Sequence, residues 1–167
     1  MKLLFDEMLK SLASWARILG IYSEFYSSKS DSELLAIARK DGLILVTRDV
    51  RLHIRCQTAG VKSILIKSDV IEEQLAQLLK ESGATVTFPE KTRCAKCNGE
   101  LLDAPPDSIK GDAPEAVLKT HARFWRCGSC RSVYWEGGHW KNISRIYEKA
   151  KAIMANGSPG AGTHPLI

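Results

Sequence analysis

The sequence predicts an α/β fold in which a mainly parallel sheet is flanked by helices, followed by a small cysteine-rich unit. Short apolar runs alternate with amphipathic segments over residues 1–88, an order typical of parallel strands joined by helices. After Pro89 this periodicity fades, and four cysteines form two Cys-x-x-Cys pairs. We therefore expect one domain over residues 1–90, a second unit with a C-terminal helix over 91–155, and a disordered tail over 156–167.

The first two strands are predicted at residues 2–5 and 24–26. Between them, apolar residues at helical spacing predict a helix that ends at Gly20. Ser30 and Glu33 form a capping box, which indicates the start of the next helix, and Gly42 is placed to end it.

The clearest strand is residues 43–47, because an unbroken apolar run suits a parallel strand that is buried on both faces. A short helix is predicted over residues 52–57, and a fourth strand follows at 63–67. Asp69 and Glu72 have capping-box spacing before the helix that ends at Gly83. The remaining predicted elements are a fifth strand at residues 85–88 and a final helix at 143–154.

Composition and charge set the class of protein. The chain has 167 residues, of which 44% are hydrophobic and 26% charged, which is ordinary for a soluble globular protein. No apolar run is long enough to span a bilayer, and acidic residues follow the start of the chain too early for a signal peptide. We expect a cytoplasmic protein with no membrane contact.

The positive charge is concentrated in the second half. Residues 1–90 hold 12 basic and 12 acidic residues, whereas residues 91–167 hold 12 basic and 7 acidic ones and so carry the whole net charge of +5. This asymmetry favours a polyanionic partner for the second half.

The paired cysteines predict a metal site. Cys94, Cys97, Cys127 and Cys130 provide two turns of two thiolates each, a set that zinc binds tetrahedrally. With all four positions filled by sulfur, no position is open to water, so the zinc is expected to be structural. Cys56 is expected to be an ordinary core or half-buried thiol.

Carboxylates follow the predicted strands, at the edge where parallel sheets bind ligands. Asp6, Asp31 and Asp49 are the preferred ligands for Mg²⁺ or Mn²⁺, and Asp69 is a further candidate. Glu33 is also a candidate, but its capping role makes Asp31 the better choice. Each of these residues could instead be a helix cap. We consider this alternative least suitable for Asp6 and Asp49.

The motifs resemble the Mut-seven C-terminal RNase family, in which a PIN-like nuclease domain precedes a zinc ribbon. The resemblance extends over about residues 3–145, and its motifs are residues 5–9, 12–20, 31–35, 47–49, 73–75, 93–99, 124–130 and 133–140. It implies a PIN-like sheet and a metal-dependent endoribonuclease site at Asp6, Asp31 and Asp49.

Basic and aromatic residues supply the expected contacts with RNA. Cations neutralise phosphates and aromatic rings stack on unpaired bases. Arg17 and Arg48 are predicted near the cleaved phosphate, and the RNA-binding candidates of the second half are Arg126, Arg131, Trp135, His139 and Trp140. A ribosome or an RNA-processing factor is a further candidate partner.

Two other functions fit the sequence. The first is a non-catalytic RNA- or ribosome-binding protein that uses the same basic zinc ribbon. The second is a phospho-receiver domain, because Asp6 and Glu7 form an acidic pair after the first strand and Asp49 follows the third. A receiver also needs a lysine after the fifth strand, and only Lys91 is near that place.

Overall fold

A computed structural model describes residues 1–156. The predicted disordered tail lies outside them, except for Asn156, which ends the last helix. Residues 1–82 form a four-stranded parallel sheet in the order β2-β1-β3-β4. Its strands are β1 (Lys2–Phe5), β2 (Tyr22–Phe25), β3 (Ile44–Thr47) and β4 (Ser63–Leu65), and its helices are α1 (Lys10–Ile18), α2 (Asp31–Asp41), α3 (Val50–Thr58) and α4 (Ile71–Ser82).

Helices cover both faces of this sheet. On one face, Leu3 and Phe5 pack with buried residues of α1 and α4. On the other face, Leu4 and Leu45 pack against α2 and α3, and the buried Cys56 belongs to this layer. Alternate residues of β1 therefore enter opposite layers, as the pleat requires. The predicted α/β class, with a parallel sheet between helices, is confirmed.

The predicted fifth strand is wrong, since residues 85–88 form no strand. Val86 and Phe88 pack on the layer that contains α1 and α4 instead of extending the sheet beyond β4. The backbone N–H of Thr87 donates to the carbonyl of Leu19 (3.1 Å), which ties the segment to the end of α1. A side chain at Gly20, whose φ is +85°, would overlap the hydroxyl of Thr87.

The second half forms a small antiparallel sheet in the order β5-β6-β7. Its core contains Ile109 and Phe124, both almost completely buried. This sheet and the four cysteines form the predicted ribbon. Its strands are β5 (Leu101–Asp103), β6 (Phe124–Cys127) and β7 (Val133–Trp135), and its helices are α5 (Glu115–Thr120) and α6 (Gly138–Ala155).

Helix α6, which we grouped with the ribbon, packs mainly against α4. Ile146 and Ala150 of α6 are buried in the same core cluster as Leu3 and Phe5 of β1. The last helix therefore completes the core of the parallel sheet. None of the described helices is long and apolar enough to cross a membrane.

A buried arginine joins the two halves at the open edge of β2. Arg17 is 7% exposed, and its Nε donates to the carbonyl of Ser23 (2.8 Å). Its Nη1 donates to the carbonyls of Ala95 (3.0 Å) and Lys96 (3.1 Å), in the first cysteine turn. The N–H of Ser23 donates to Oδ1 of Asn98 (3.1 Å). The backbone carbonyl and N–H of Ser23 are thus both hydrogen-bonded, and the edge of the sheet is covered at this residue.

These bonds also change the expected role of Arg17. Its guanidinium is occupied by backbone carbonyls inside the protein, so it is not among the groups that we propose to bind phosphate. Burial lowers the pKa of the guanidinium, but an arginine stays protonated at all relevant pH values. We assign it a structural role.

We expect Arg17→Lys to lower the free energy of unfolding by about 2–3 kcal/mol, because one ammonium cannot replace a fork that reaches three carbonyls. The measurement is urea unfolding with zinc retained. Arg51→Lys, at an exposed position of α3, is the matched control and should change stability by less than about 0.5 kcal/mol. Equal stability of the two variants would contradict the structural role of Arg17.

Candidate functional site

The four cysteines of the ribbon converge. All four Sγ atoms lie within 4.8 Å of one another, and the closest pairs are Cys94 with Cys130 (3.5 Å) and Cys97 with Cys127 (3.4 Å). A zinc ion bound at about 2.3 Å from each sulfur would place the sulfurs about 3.8 Å apart. The cluster therefore fits a tetrahedral metal ion with four thiolate ligands.

The two cysteine turns have the same backbone geometry. In each turn the residue after the second cysteine has a positive φ, namely 68° at Asn98 and 65° at Arg131. The N–H of that residue donates to the carbonyl of the first cysteine, at 2.8 Å and 3.1 Å respectively. Gly99 is required for a different reason, since a Cβ there would lie 2.7 Å from Sγ of Cys127.

The acidic site lies at the carboxyl end of the parallel sheet. Asp6 follows β1 and Asp49 lies two residues beyond β3, and these neighbouring strands are the point where the strand order reverses. Helix α1 follows β1 on one face and α3 follows β3 on the other, an arrangement that in open α/β sheets leaves a crevice between the two connections. The crevice is the expected ligand position in an open α/β sheet.

Asp6 is buried, with 6% of its surface exposed. Its Oδ1 accepts from the N–H of Met8 (3.0 Å), and its Oδ2 accepts a short hydrogen bond from the hydroxyl of Thr47. Burial raises the pKa of the Asp6 carboxyl, and the nearby negative charge of Asp49 raises it further. The hydrogen bonds to the carboxylate lower the pKa and only partly offset these two effects. The site thus holds a carboxylate that is costly to ionise without a cation.

Thr47 connects the two carboxylate-bearing residues. Besides donating to Asp6, its Oγ1 accepts from the N–H of Asp49 (2.9 Å), and its side chain is completely buried. We singled out the Thr47-Arg48-Asp49 motif in the sequence but gave the threonine no role. The sequence did contain a signal for such a role, because this threonine is a polar β-branched residue at the end of an otherwise apolar, buried strand.

Asp6 and Asp49 also act as helix caps, the alternative that we considered less suitable for them. Asp6 caps the short 3₁₀ helix Glu7–Leu9, which leads into α1. Oδ1 of Asp49 accepts from the N–H groups of Arg51 (2.7 Å) and Leu52 (3.1 Å) at the start of α3. Capping engages one oxygen of each carboxylate, so a cap and a metal ligand are compatible roles.

The other predicted acidic residues have partners of their own. Asp31 pairs with Arg55 of α3 (3.3 Å), and Glu33 forms the predicted capping box with Ser30. Hydrogen bonds from Lys29 and Ser30 lower the pKa of Glu33 to about 2. Among the described residues, only the four cysteines bring three or more metal-ligating side chains together.

Asp69 pairs with Arg48 and does not cap α4. The expected second capping box is therefore wrong: the N-cap of α4 is Val70, whose N–H donates to Oγ of Ser68 (3.0 Å). The Arg48–Asp69 pair lies between the carboxyl ends of β3 and β4. Arg48 is only partly exposed, whereas Asp69 is largely exposed.

The predicted RNA-binding residues differ in their availability. Arg126 donates to Oδ2 of Asp112 (2.6 Å) and to the carbonyl of Ser108 (2.9 Å), so it braces the loop before α5. Arg131 and His139 are exposed. Trp135 is half-buried, and Trp140 stacks on Trp125 with ring centroids 5.3 Å apart.

We expect one zinc ion per chain, and its loss should loosen the edge of the parallel sheet. In Cys97→Ser, or after chelation, the first cysteine turn loses its shape and no longer holds Asn98 against Ser23. Hydrogen exchange at the Ser23 amide should then accelerate, while exchange in β3, at the centre of the sheet, stays slow. Unchanged exchange at Ser23, or protein without zinc after anaerobic purification, would contradict this expectation.

Gly99→Ala should lower zinc retention during dialysis against a chelator, because the added methyl group displaces a ligand sulfur. Gly128→Ala is the matched control, since its Cβ would meet nothing closer than 3.6 Å. Elemental analysis after dialysis separates the two variants. Equal retention would show that close packing at Gly99 does not matter.

We expect Asp6→Asn to stabilise the protein at about pH 7 when no divalent cation is added. The folded state binds the Asp6 proton more tightly than the unfolded chain, so the wild type loses stability as pH rises from the ordinary value of 3.8 through the raised pKa. The advantage of the variant should therefore shrink towards about pH 4. Thermal unfolding across this range tests the expectation, and parallel pH profiles would contradict it.

Comparison with known proteins agrees with these features. The family model described as the Mut7-C RNAse domain matches residues 1–147. No curated protein matches the chain, and no solved structure matches it. The match includes the whole parallel sheet, both cysteine turns and the first part of α6, and the family suggests a nuclease-like function with RNA as the substrate. The chain belongs to the Mut7-C RNAse domain family.

Proposed function

We propose that the protein is a metal-dependent endoribonuclease that hydrolyses RNA phosphodiester bonds at the crevice between β1 and β3. The observation that carries this proposal is the buried carboxylate of Asp6, which shares Thr47 with the neighbouring Asp49 at the reversal point of the strand order. Aspartates that follow two neighbouring strands at this position are typical of a cation site. The family of the chain supplies the substrate class.

Mg²⁺ or Mn²⁺ is the proposed ion, with Asp6 and Asp49 as its protein ligands. Magnesium commonly uses only one or two carboxylates and completes its shell with waters and substrate phosphate. When bound, the ion supplies charge neutralisation at the scissile phosphate and lowers the pKa of water. The high cost of the Asp6 charge without a cation agrees with this donor set.

The side chains of the site have separate roles in the proposal. Thr47 and the N–H of Met8 fix the orientation of the Asp6 carboxylate before substrate binds. Arg48, at the same edge, is the group that we propose to hold a phosphate, after exchange of its exposed partner Asp69.

Asp31 is the member of the proposed ligand set that has an ion-pair partner of its own. Its carboxylate pairs with Arg55, so it must leave this partner in order to bind an ion. We keep it as a third ligand that forms with substrate present. We propose that Glu33 acts only as a helix cap, and that Asp69 pairs with Arg48 until a phosphate replaces it.

The zinc ribbon is proposed to hold the RNA strand beside the nuclease site. The exposed cations of this half include Lys96, Arg123, Arg131, Lys141 and Arg145. They supply the excess positive charge that phosphates require. We propose a cytoplasmic location for the protein, where reduced cysteines bind zinc instead of forming disulfides.

A non-catalytic RNA-binding protein is the second candidate function. It is favoured by the separation of the three aspartates, which do not meet as a triad among residues 1–156. In that case Asp6 and Asp49 would serve only as caps. The two candidates differ in whether RNA is cut.

We expect Asp6→Asn and Asp49→Asn each to reduce the rate of cleavage at least about 100-fold, because the amide keeps the shape but loses the charge that binds the cation. Asp31→Asn should have a smaller effect than either. The measurement is cleavage of end-labelled single-stranded RNA with and without Mn²⁺, together with the RNA affinity of each variant.

Glu33→Gln is the control, because glutamine can preserve the capping box and activity should persist. If this variant loses activity while Asp31→Asn retains it, the second ligand is Glu33. If the wild type binds RNA but does not cut it with either metal, the non-catalytic function is correct.

A further inference from the structure

A cavity of about 430 Å³ lies between the two halves of the protein, away from the aspartates. Its aromatic walls are Trp15 from α1, Tyr134 and Trp135 from β7, and Trp140 from α6, and the loop before β5 contributes to the lining as well. Its volume is in the range of about 300–1,000 Å³ that is usual for ligand sites. The proposed nuclease reaction does not use it.

The chemistry of the lining favours a flat or anionic ligand. Arg93, His139 and Asn142 are polar groups of the lining, and no Asp or Glu of the described residues contributes to it. Nε of Arg93 is bound to the carbonyl (2.9 Å) and Oδ1 (3.1 Å) of Asn98, which fixes the guanidinium in place. Arg145 donates to Oδ1 of Asn142 (2.8 Å) and so adds a second cation beside the cavity.

The walls are rigid before any ligand binds. Trp140 lies between Phe88, at 5.2 Å, and Trp125, at 5.3 Å, and the two indoles are within 8° of parallel. No stacked ring engages Trp15 or Trp135 within residues 1–156. Trp15 and Trp135 pack against the two hydrophobic cores, and walls that are held in this way reduce the entropy lost on binding a planar ligand.

We propose that this cavity binds one unpaired base of a single-stranded RNA, with the adjoining phosphates on Arg93 and Arg145. Aromatic walls and flanking cations are the two features that single-strand binding sites combine. The strand is preferred over a peptide because the cations around the cavity, and the net charge of the whole second half, complement a polyanion. The inference rests on the proposed function, since it takes RNA as the substrate.

The test fills the cavity from one lining position and leaves its aromatic walls in place. Asn142→Trp places an indole at an exposed position of the lining, and Ser144→Trp places the same group on the same helix outside the lining. Each change removes one surface hydrogen bond, from Arg145 or to the carbonyl of Trp140. The two variants should therefore have equal thermal stability.

The probe is a single-stranded RNA oligonucleotide with one 2-aminopurine, added to full-length zinc-containing protein without Mg²⁺ or Mn²⁺. With the wild type and Ser144→Trp, binding should quench the 2-aminopurine emission through stacking. Asn142→Trp should bind about tenfold more weakly, the loss expected for one stacked base, and should not quench the emission.

Equal binding by the two variants, or wild-type binding without quenching, would overturn the proposal. Saturation of the cavity by free AMP at the concentration that suffices for the oligonucleotide would identify a free nucleotide as the occupant and would overturn it as well. Cleavage is measured separately. A cavity that binds the base in a protein that cuts no RNA would leave the inference standing and refute the nuclease.

Discussion

The hydrogen bonds of Arg17 are the interaction on which the arrangement of the two halves depends. A buried guanidinium must find acceptors, and here it finds them on both sides of one boundary: Ser23 on the sheet edge and Ala95 and Lys96 in the cysteine turn. The metal-ligating turn is thereby fixed against β2. The hydrogen bond from Ser23 to Asn98 and the packing of α6 on α4 hold the same boundary together, and Arg17 adds the buried hydrogen bonds that fix the cysteine turn at the edge strand.

The carboxyl end of the sheet contains a buried group that lowers the stability of the fold. Here the fold accepts an unfavourable group, since Asp6 is buried beside a second carboxylate with a hydroxyl and a backbone N–H as partners. Groups of this kind are typical of functional sites, because they lower stability unless a ligand compensates for them. The two halves thus differ in character: the first contains a buried carboxylate that is costly to ionise, and the second contains the four-cysteine cluster and the whole excess of positive charge.

The sequence predicted the four parallel strands, the first capping box and the cysteine cluster because each depends on local spacing. It did not predict the place of residues 85–88, since the two apolar side chains of an alternating Thr-Val-Thr-Phe segment can pack against helices as well as in a strand. Nor did it predict the partner of Asp31, because the position of Arg55 depends on how α2 and α3 pack. The hydrogen bonds of Thr47 and Arg17 were not predicted for the same reason: they depend on residues that are distant in the sequence.

The return of α6 to the parallel sheet has a consequence for synthesis on the ribosome. The layer that contains Leu3 and Phe5 also needs Ile146 and Ala150, which emerge from the exit tunnel much later. Until then, α4 presents an apolar face to the solvent while the ribbon is still being made. The core that is begun by the first strand is therefore completed only when the last helix has been synthesised. Until that point the exposed apolar surface of the nascent chain can bind chaperones or misfold.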